Sequence, residues 1–263
     1  VLAQLYTERI GDDPARWLLL THGIYGAGSN WRSIARKLVR KRPEWGVLLV
    51  DLRGHGRSQA GDPPHTVAAA ADDVCAVIAA EQVSAIAGHS FGGKVVLAAR
   101  SRVRVDQTWM LDASPSARPG AWHDGNSVVR VLELLERSPK QWPKRDDFIA
   151  AVTAEGHALP LAQWLAMNLA ADGDRFTLRL DTDLLRSLLA SYYTTDLWDE
   201  LDNPAHGDTH IVIADRSNTI DDAARARLAH SPAHVHVHHI AADHWLHIEA
   251  PDAVVDLFAT HLR

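Results

Sequence analysis

The stretch 85-AIAGHSFGGKVV-96 decides how this chain reads. A short apolar run, Ser84–Gly88, meets Gly88-His89-Ser90-Phe91-Gly92, and a run of Val, Leu and Ala at helical spacing follows. The pattern is G-x-S-x-G between a strand and a helix. A serine on such a turn must hold a strained backbone so that its Oγ stands above the sheet, and flanking glycines give the turn room. Ser90 is therefore the candidate nucleophile.

Outward from that turn, short apolar runs alternate with longer helical patterns. "VLAQLYTE", "ARWLLLTH", "GVLLVDL", "SAIAG" and "QTWMLDA" read as strands. "NWRSIARKLVRK", with Asn30 placed to cap it, "TVAAAADDVCAVIAAE" and "GGKVVLAARS" read as helices. Strands alternating with helices imply a mostly parallel sheet covered on both faces. Lys94 is expected on the surface of the helix after Ser90. From Ser116 to Leu201 the rhythm changes to helices broken by Pro and Gly, which reads as an inserted helical cap. The α/β rhythm resumes with "THIVIAD", "TIDDAARARLAH", "AHVHVHHI" and "APDAVVDLFATHLR". The expected organisation is a core of residues 1–115 and 202–263 with a cap of residues 116–201. Four of the nine tryptophans fall in the cap, at 122, 142, 164 and 198. Taken singly, each reads as packing; together they suggest an apolar cover for an acyl group.

A serine alcohol needs a base. His244, in the loop after the last strand, is nearest the sheet's ligand edge and is the expected base; His247, three residues on, is assigned to packing or a hydrogen bond. An oxyanion hole needs two backbone N–H donors. The amide of Phe91, next to the nucleophile, supplies one, and the turn His22-Gly23-Ile24 supplies the other through Ile24. The base also needs a carboxylate to fix its tautomer. Two strand ends offer one, Asp112 after "TWML" and Asp215 after "HIVIA".

"HGIYGAGSNW", "VDLRGHGRS", "GHSFGG" and "HWLHIEAPDAV" together, in this order, resemble the strand-end motifs of the α/β-hydrolases. "MLDASP" and "PLAQWLAMNLAADGDRFTLRLD" resemble a narrower branch, the YbfF-like esterases and acyl-CoA thioesterases. The resemblance implies an α/β-hydrolase fold and acyl transfer through an acyl-enzyme. In many α/β-hydrolases the acid follows the later strand in a G-x-x-D turn; laid on Ala214-Asp215-Arg216-Ser217, that pattern puts Ser217 at the acid's place. In the YbfF-like branch the acid ends the earlier strand in a D-x-x-P turn, which Asp112-Ala113-Ser114-Pro115 matches. The resemblance thus favours Asp112, with Asp215 open through a shifted turn. The residue before the base, often glycine, is Asp243 here and is expected to face solvent.

Composition bounds the rest. The 263 residues are 46% hydrophobic and 23% charged, with a net charge of −6, ordinary for a globular chain. That acidity argues against nucleic acid as partner, and a small-molecule ester or thioester is the partner expected. No apolar run approaches the roughly 20 residues of a membrane span, no leader pattern is visible, and the cytoplasm is the expected compartment. Cys75 is the single cysteine and reads as a packed thiol on a helix. His234, His236, His238 and His239 lack a supporting carboxylate, so no metal is assigned to them, and no cofactor is needed. Lys140, Lys144 and Arg145 read as a solvated face or, alternatively, as contacts for the phosphates of a CoA ester. Lactone or carbon–carbon bond hydrolysis and perhydrolysis on the same residues are alternatives, as is a silent ligand-binding protein on this fold.

Overall fold

A computed structural model describes residues 1–122 and 126–263. The first part of the chain runs β1 (Thr7–Ile10), β2 (Arg16–Thr21), α1 (Arg32–Lys41), β3 (Trp45–Val50), α2 (Val67–Ala80), β4 (Val83–His89), α3 (Phe91–Ala99) and β5 (Gln107–Leu111). Next come α4 (Ser127–Arg137), β6 (Gln141–Trp142), α5 (Arg145–Ala154), α6 (Leu159–Leu165), β7 (Leu169–Asp172), β8 (Arg175–Leu178), α7 (Thr182–Thr194) and α8 (Trp198–Asp202). The last part holds β9 (Asp208–Ala214), α9 (Asp222–Leu228), β10 (Val235–Ile240), α10 (Leu246–Glu249) and α11 (Pro251–His261).

Seven strands form one sheet in the order β1-β3-β2-β4-β5-β9-β10. β1 pairs antiparallel with β3, and the other neighbours are parallel. The apolar runs of the central strands bury both faces, as parallel strands under helices must. Residues two apart share a face. Leu18, Leu20, Val47, Leu49, Ala85 and Ala87 pack with Trp31, Leu38 and Phe258 on the α1/α11 side. Leu19, Leu48, Val50 and Ile86 pack with Val74, Val95 and Val96 on the α2/α3 side. β5 and β9 are sheet neighbours although residues 112–207 lie between them in sequence.

Three expectations are revised. "VLAQLYTE" forms a strand only from Thr7 onward. The segment between β5 and β9 is not purely helical: β6, β8 and β7 make a small antiparallel sheet. Asn30 also caps a different turn from the one expected. Its Oδ1 accepts from the Ala27 amide at 2.7 Å, closing the 3₁₀ turn Gly28–Trp31 that precedes α1. No described helix is long and apolar enough to cross a membrane.

Candidate active site

The end of β4 turns into α3 through Ser90, whose φ of 53° and ψ of −116° lie in a strained region for a residue with a side chain. Its backbone bonds hold it there. Its amide donates to the Leu111 carbonyl at 2.9 Å and its carbonyl accepts from Gly93 at 3.0 Å. The flanking glycines are sterically required. A Cβ on Gly88 would sit 2.2 Å from the Gly92 carbonyl oxygen, and one on Gly92 2.5 Å from that of His22.

The turn after β2 packs directly on this elbow: a Cβ on Gly23 would lie 3.2 Å from that of Ser90. Its orientation follows from His22. The Leu52 amide donates to His22 Nε2 at 2.9 Å, so the ring proton sits on Nδ1, which donates to the Gly23 carbonyl at 2.7 Å. Burial pushes His22 down to about 4 and keeps it neutral. In a trans peptide the carbonyl and the following N–H point opposite ways. Tying the Gly23 oxygen to His22 therefore turns the Ile24 amide the other way, and Ile24 lines a cavity together with Ser90, Phe91 and His244. The Phe91 amide opens α3, where it has no intrahelical acceptor.

Asp112 ends β5 with a φ of 44°, fully buried. Its amide donates to the Val212 carbonyl at 2.7 Å, and its Oδ1 accepts from Ala214 at 3.2 Å. Its Oδ2 faces two donors: Ser217 Oγ at 2.6 Å and His244 Nδ1 at 2.7 Å. Thr219 Oγ1 is 3.0 Å from both Ser217 Oγ and His244 Nδ1. Asp215 points elsewhere, to His239 Nδ1 at 2.7 Å on the exposed side of the sheet edge. His247 is buried and stacks on Trp31 at 4.9 Å, with neither ring nitrogen partnered among the described residues. Desolvation drops it to about 4, so it packs as a neutral ring.

Ser90, His244, Ile24 and Phe91 thus line one cavity of about 330 Å³, and Asp112 lies behind it, in contact with His244. Two neighbours there, His89 and Arg118, were not legible in the sequence. His89 Nε2 reaches the His244 carbonyl at 2.8 Å, and burial, with His244 and His247 nearby, holds its ring well below the ordinary histidine range. Ser217 is buried beside Asp112, its Oγ donating to Oδ2 at 2.6 Å. Arg118 Nη1 donates to the carbonyls of Asn218 and Thr219 at 3.1 and 2.7 Å, fastening the loop that carries Thr219. Asp243 is exposed, and its Oδ1 accepts from the His244 amide at 2.7 Å.

Lys94 is not on the surface; it is fully buried. Arg145 is also committed elsewhere, donating to the carbonyls of Ala166 and Leu169 at 2.7 Å each. The four tryptophans at 122, 142, 164 and 198 lie outside the cavity lining. They pack instead, Trp142 against Phe148, Trp164 against Trp245 and Trp122 against Tyr193. His236 and His238 pack with His210 and Trp109 away from the site.

A family model described as the alpha/beta hydrolase family matches residues 18–257. The chain belongs to that family. This hydrolase is 26% identical to Esterase YbfF of Escherichia coli (strain K12) over 257 residues, covering 94% of this chain and 92% of the esterase. It is 24% identical over 261 residues to the sn-1-specific diacylglycerol lipase ABHD11 of Mus musculus, covering 96% of this chain and 82% of the lipase. A solved marine microorganism esterase superposes with a TM-score of 0.87 at 21% identity, over 98% of this hydrolase and 99% of that chain. The last likeness carries the fold.

Proposed function

We propose that this hydrolase cleaves carboxylic esters or thioesters of small acyl groups through a Ser90–His244–Asp112 triad, with residues 116–201 as a cap over the site. The observation that carries the reading is the 2.7 Å bond from His244 Nδ1 to Asp112 Oδ2, in a ring that shares its cavity with the strained Ser90. Asp112 holds the proton on Nδ1 and leaves Nε2 free as the base. Ser90 Oγ attacks the acyl carbon as its proton passes to Nε2. The carbonyl oxygen gathers negative charge and is held by the amides of Ile24 and Phe91. Collapse of the tetrahedral intermediate breaks the bond to the alcohol or thiol, which leaves with the proton from Nε2. Water then attacks the acyl-enzyme, giving its proton to His244, and Ser90 is regenerated as the acid departs.

The cavity's modest size is at the low end for ligand sites, and Ser114, Ser116, Asn126 and Thr219 give its wall short polar groups. Both features favour short or polar acyl groups over long aliphatic ones. They replace the idea of a tryptophan-lined acyl cover. The residues named need no metal or cofactor to run these steps.

The test is a panel of p-nitrophenyl esters and acyl-CoA thioesters of rising acyl length. Turnover is expected to be highest for the short members. Ser90→Ala is expected to lower kcat by on the order of 10⁵–10⁶, with an unchanged melting temperature. Activity retained in Ser90→Ala would refute the nucleophile, and no turnover by the wild type on any member would favour a ligand-binding role.

A further inference from the structure

Lys94 sits four residues beyond Ser90, on α3, with its side chain fully buried. Its ammonium meets three backbone carbonyls: Ser116 at 2.9 Å, Tyr192 at 2.8 Å and Thr195 at 2.9 Å. The Tyr192 ring lies 4.3 Å from Nζ. A lysine ammonium has three N–H donors, so each carbonyl receives one. Two of these oxygens belong to the end of α7, where helix carbonyls lack intrahelical partners and the dipole favours a cation. The third belongs to the segment leaving β5. Ser116 and Tyr192 both line the cavity that holds Ser90 and His244.

An ammonium is an expensive group to bury. An apolar side chain would fill the space beside α3 at lower cost, yet would leave three carbonyls unpaired. We propose that Lys94 is a positioning residue that sets the width of the substrate cavity by drawing Ser116 and the end of α7 onto the nucleophile helix. The inference rests on the ester hydrolase reading above.

The clamp has a charge state. Burial pushes Lys94 down to about 7. Among the described residues, the Asp196 carboxylate, just past α7, works against that shift, and the Arg118 guanidinium, after β5, adds to it. Tyr192, which faces Lys94 from α7, has its phenol pushed far up by burial and stays neutral. A deprotonated amine has two N–H donors and no charge, so one carbonyl loses its partner. The cavity wall is then drawn in at low pH and slack at high pH. Longer acyl groups should gain as pH rises.

The experiment measures kcat/KM for p-nitrophenyl acetate and p-nitrophenyl hexanoate from pH 5.5 to 9. Ionisations of the shared nucleophile and base cancel in the hexanoate-to-acetate ratio, so the ratio isolates a group outside the triad. In the wild type it should rise about fivefold or more, with a midpoint near pH 7. In Lys94→Met it should be flat at the high-pH value. A ratio that is flat in the wild type, with both esters turned over in a Ser90-dependent way, would overturn the role of Lys94. So would a rise that persists unchanged in Lys94→Met. If Lys94→Met does not fold, Lys94→Arg takes its place: a guanidinium stays charged across this range, so the ratio should be flat at the low-pH value, and a rise that persists would overturn the role of Lys94. Failure to turn over these esters and every thioester of the panel would sink the hydrolase reading and this inference together.

Discussion

Asp112 serves three donors with one carboxylate. Oδ1 takes the Ala214 amide, and Oδ2 takes Ser217 Oγ and His244 Nδ1. These bonds fix the carboxylate plane, so the imidazole it faces is held in one tautomer and orientation. Asp112→Asn keeps the shape but presents a neutral group, and should lower kcat on the preferred ester by on the order of 10³–10⁴. Asp215→Asn removes only an exposed contact with His239 and should stay within about tenfold of the wild type. Steady-state kinetics on both variants check this; the reverse ranking would move the acid to Asp215. At this scale the sequence was readable for position: Ser90 falls at the turn after β4, Asp112 just past β5 and His244 in the loop after β10. It was unreadable where the duty depends on which way a side chain turns. Nothing in "GHSFGGK" says that Lys94 points inward toward the end of α7, and nothing in "ADRSNT" says that Ser217 Oγ meets a carboxylate from another strand.

Among the elements, the β5/β9/β10 edge holds an aromatic stack whose charge state matters. Trp109 lies flat on His210 at 3.8 Å. Gln107 sets the proton order. Its Oε1 accepts from Arg263, so its Nε2 donates, to the His261 carbonyl and to His210 Nε2. His210 Nδ1 must then donate to His238 Nε2, 2.9 Å away. Desolvation first, then neighbouring histidines, push His210 to about 3 and His238 to about 4. Their ordinary value is 6.5, so the unfolded chain binds protons that the folded chain refuses. Stability from this stack is therefore complete above about pH 6.5 and is lost as pH falls toward 4. Thermal melts between pH 7.5 and 4.5 should show a falling midpoint, with a shallower fall in His238→Gln. An equal fall in that variant would locate the acid lability elsewhere. The strands and long helices were legible because their apolar periods of 2 and 3.6 survive in sequence. The small sheet was not: the Leu-Ala-Ala of "NLAAD" are good helix formers, and tertiary pairing with "RFTL" overrides that propensity. Its one local signal was Gly173, at the hairpin turn with a φ of +63°.

Over the whole molecule, the segment between β5 and β9 is joined to the sheet at several points beside the site. Tyr25 Oη donates to the Val128 carbonyl at 2.7 Å, and Asn168 Nδ2 to that of Tyr25 at 2.8 Å. The turn carrying the candidate oxyanion donor is thereby in contact with that segment from two directions. The sheet has a further property that concerns its history rather than its present working. Asp112 and Ser217 lie at the ends of adjacent strands, with Oδ2 and Oγ 2.6 Å apart. Both strand ends therefore bring an oxygen into the neighbourhood of His244 Nδ1, which Asp112 Oδ2 meets at 2.7 Å. A lineage could move its acid from one strand to the next without passing through a dead enzyme, by way of an ancestor carrying carboxylates at both places. The step can be replayed: Asp112→Asn combined with Ser217→Asp should recover at least about tenfold of the kcat lost in Asp112→Asn alone, since a carboxylate again orients the base. No recovery in a folded double variant would mean that the two ends share a neighbourhood but cannot trade the task.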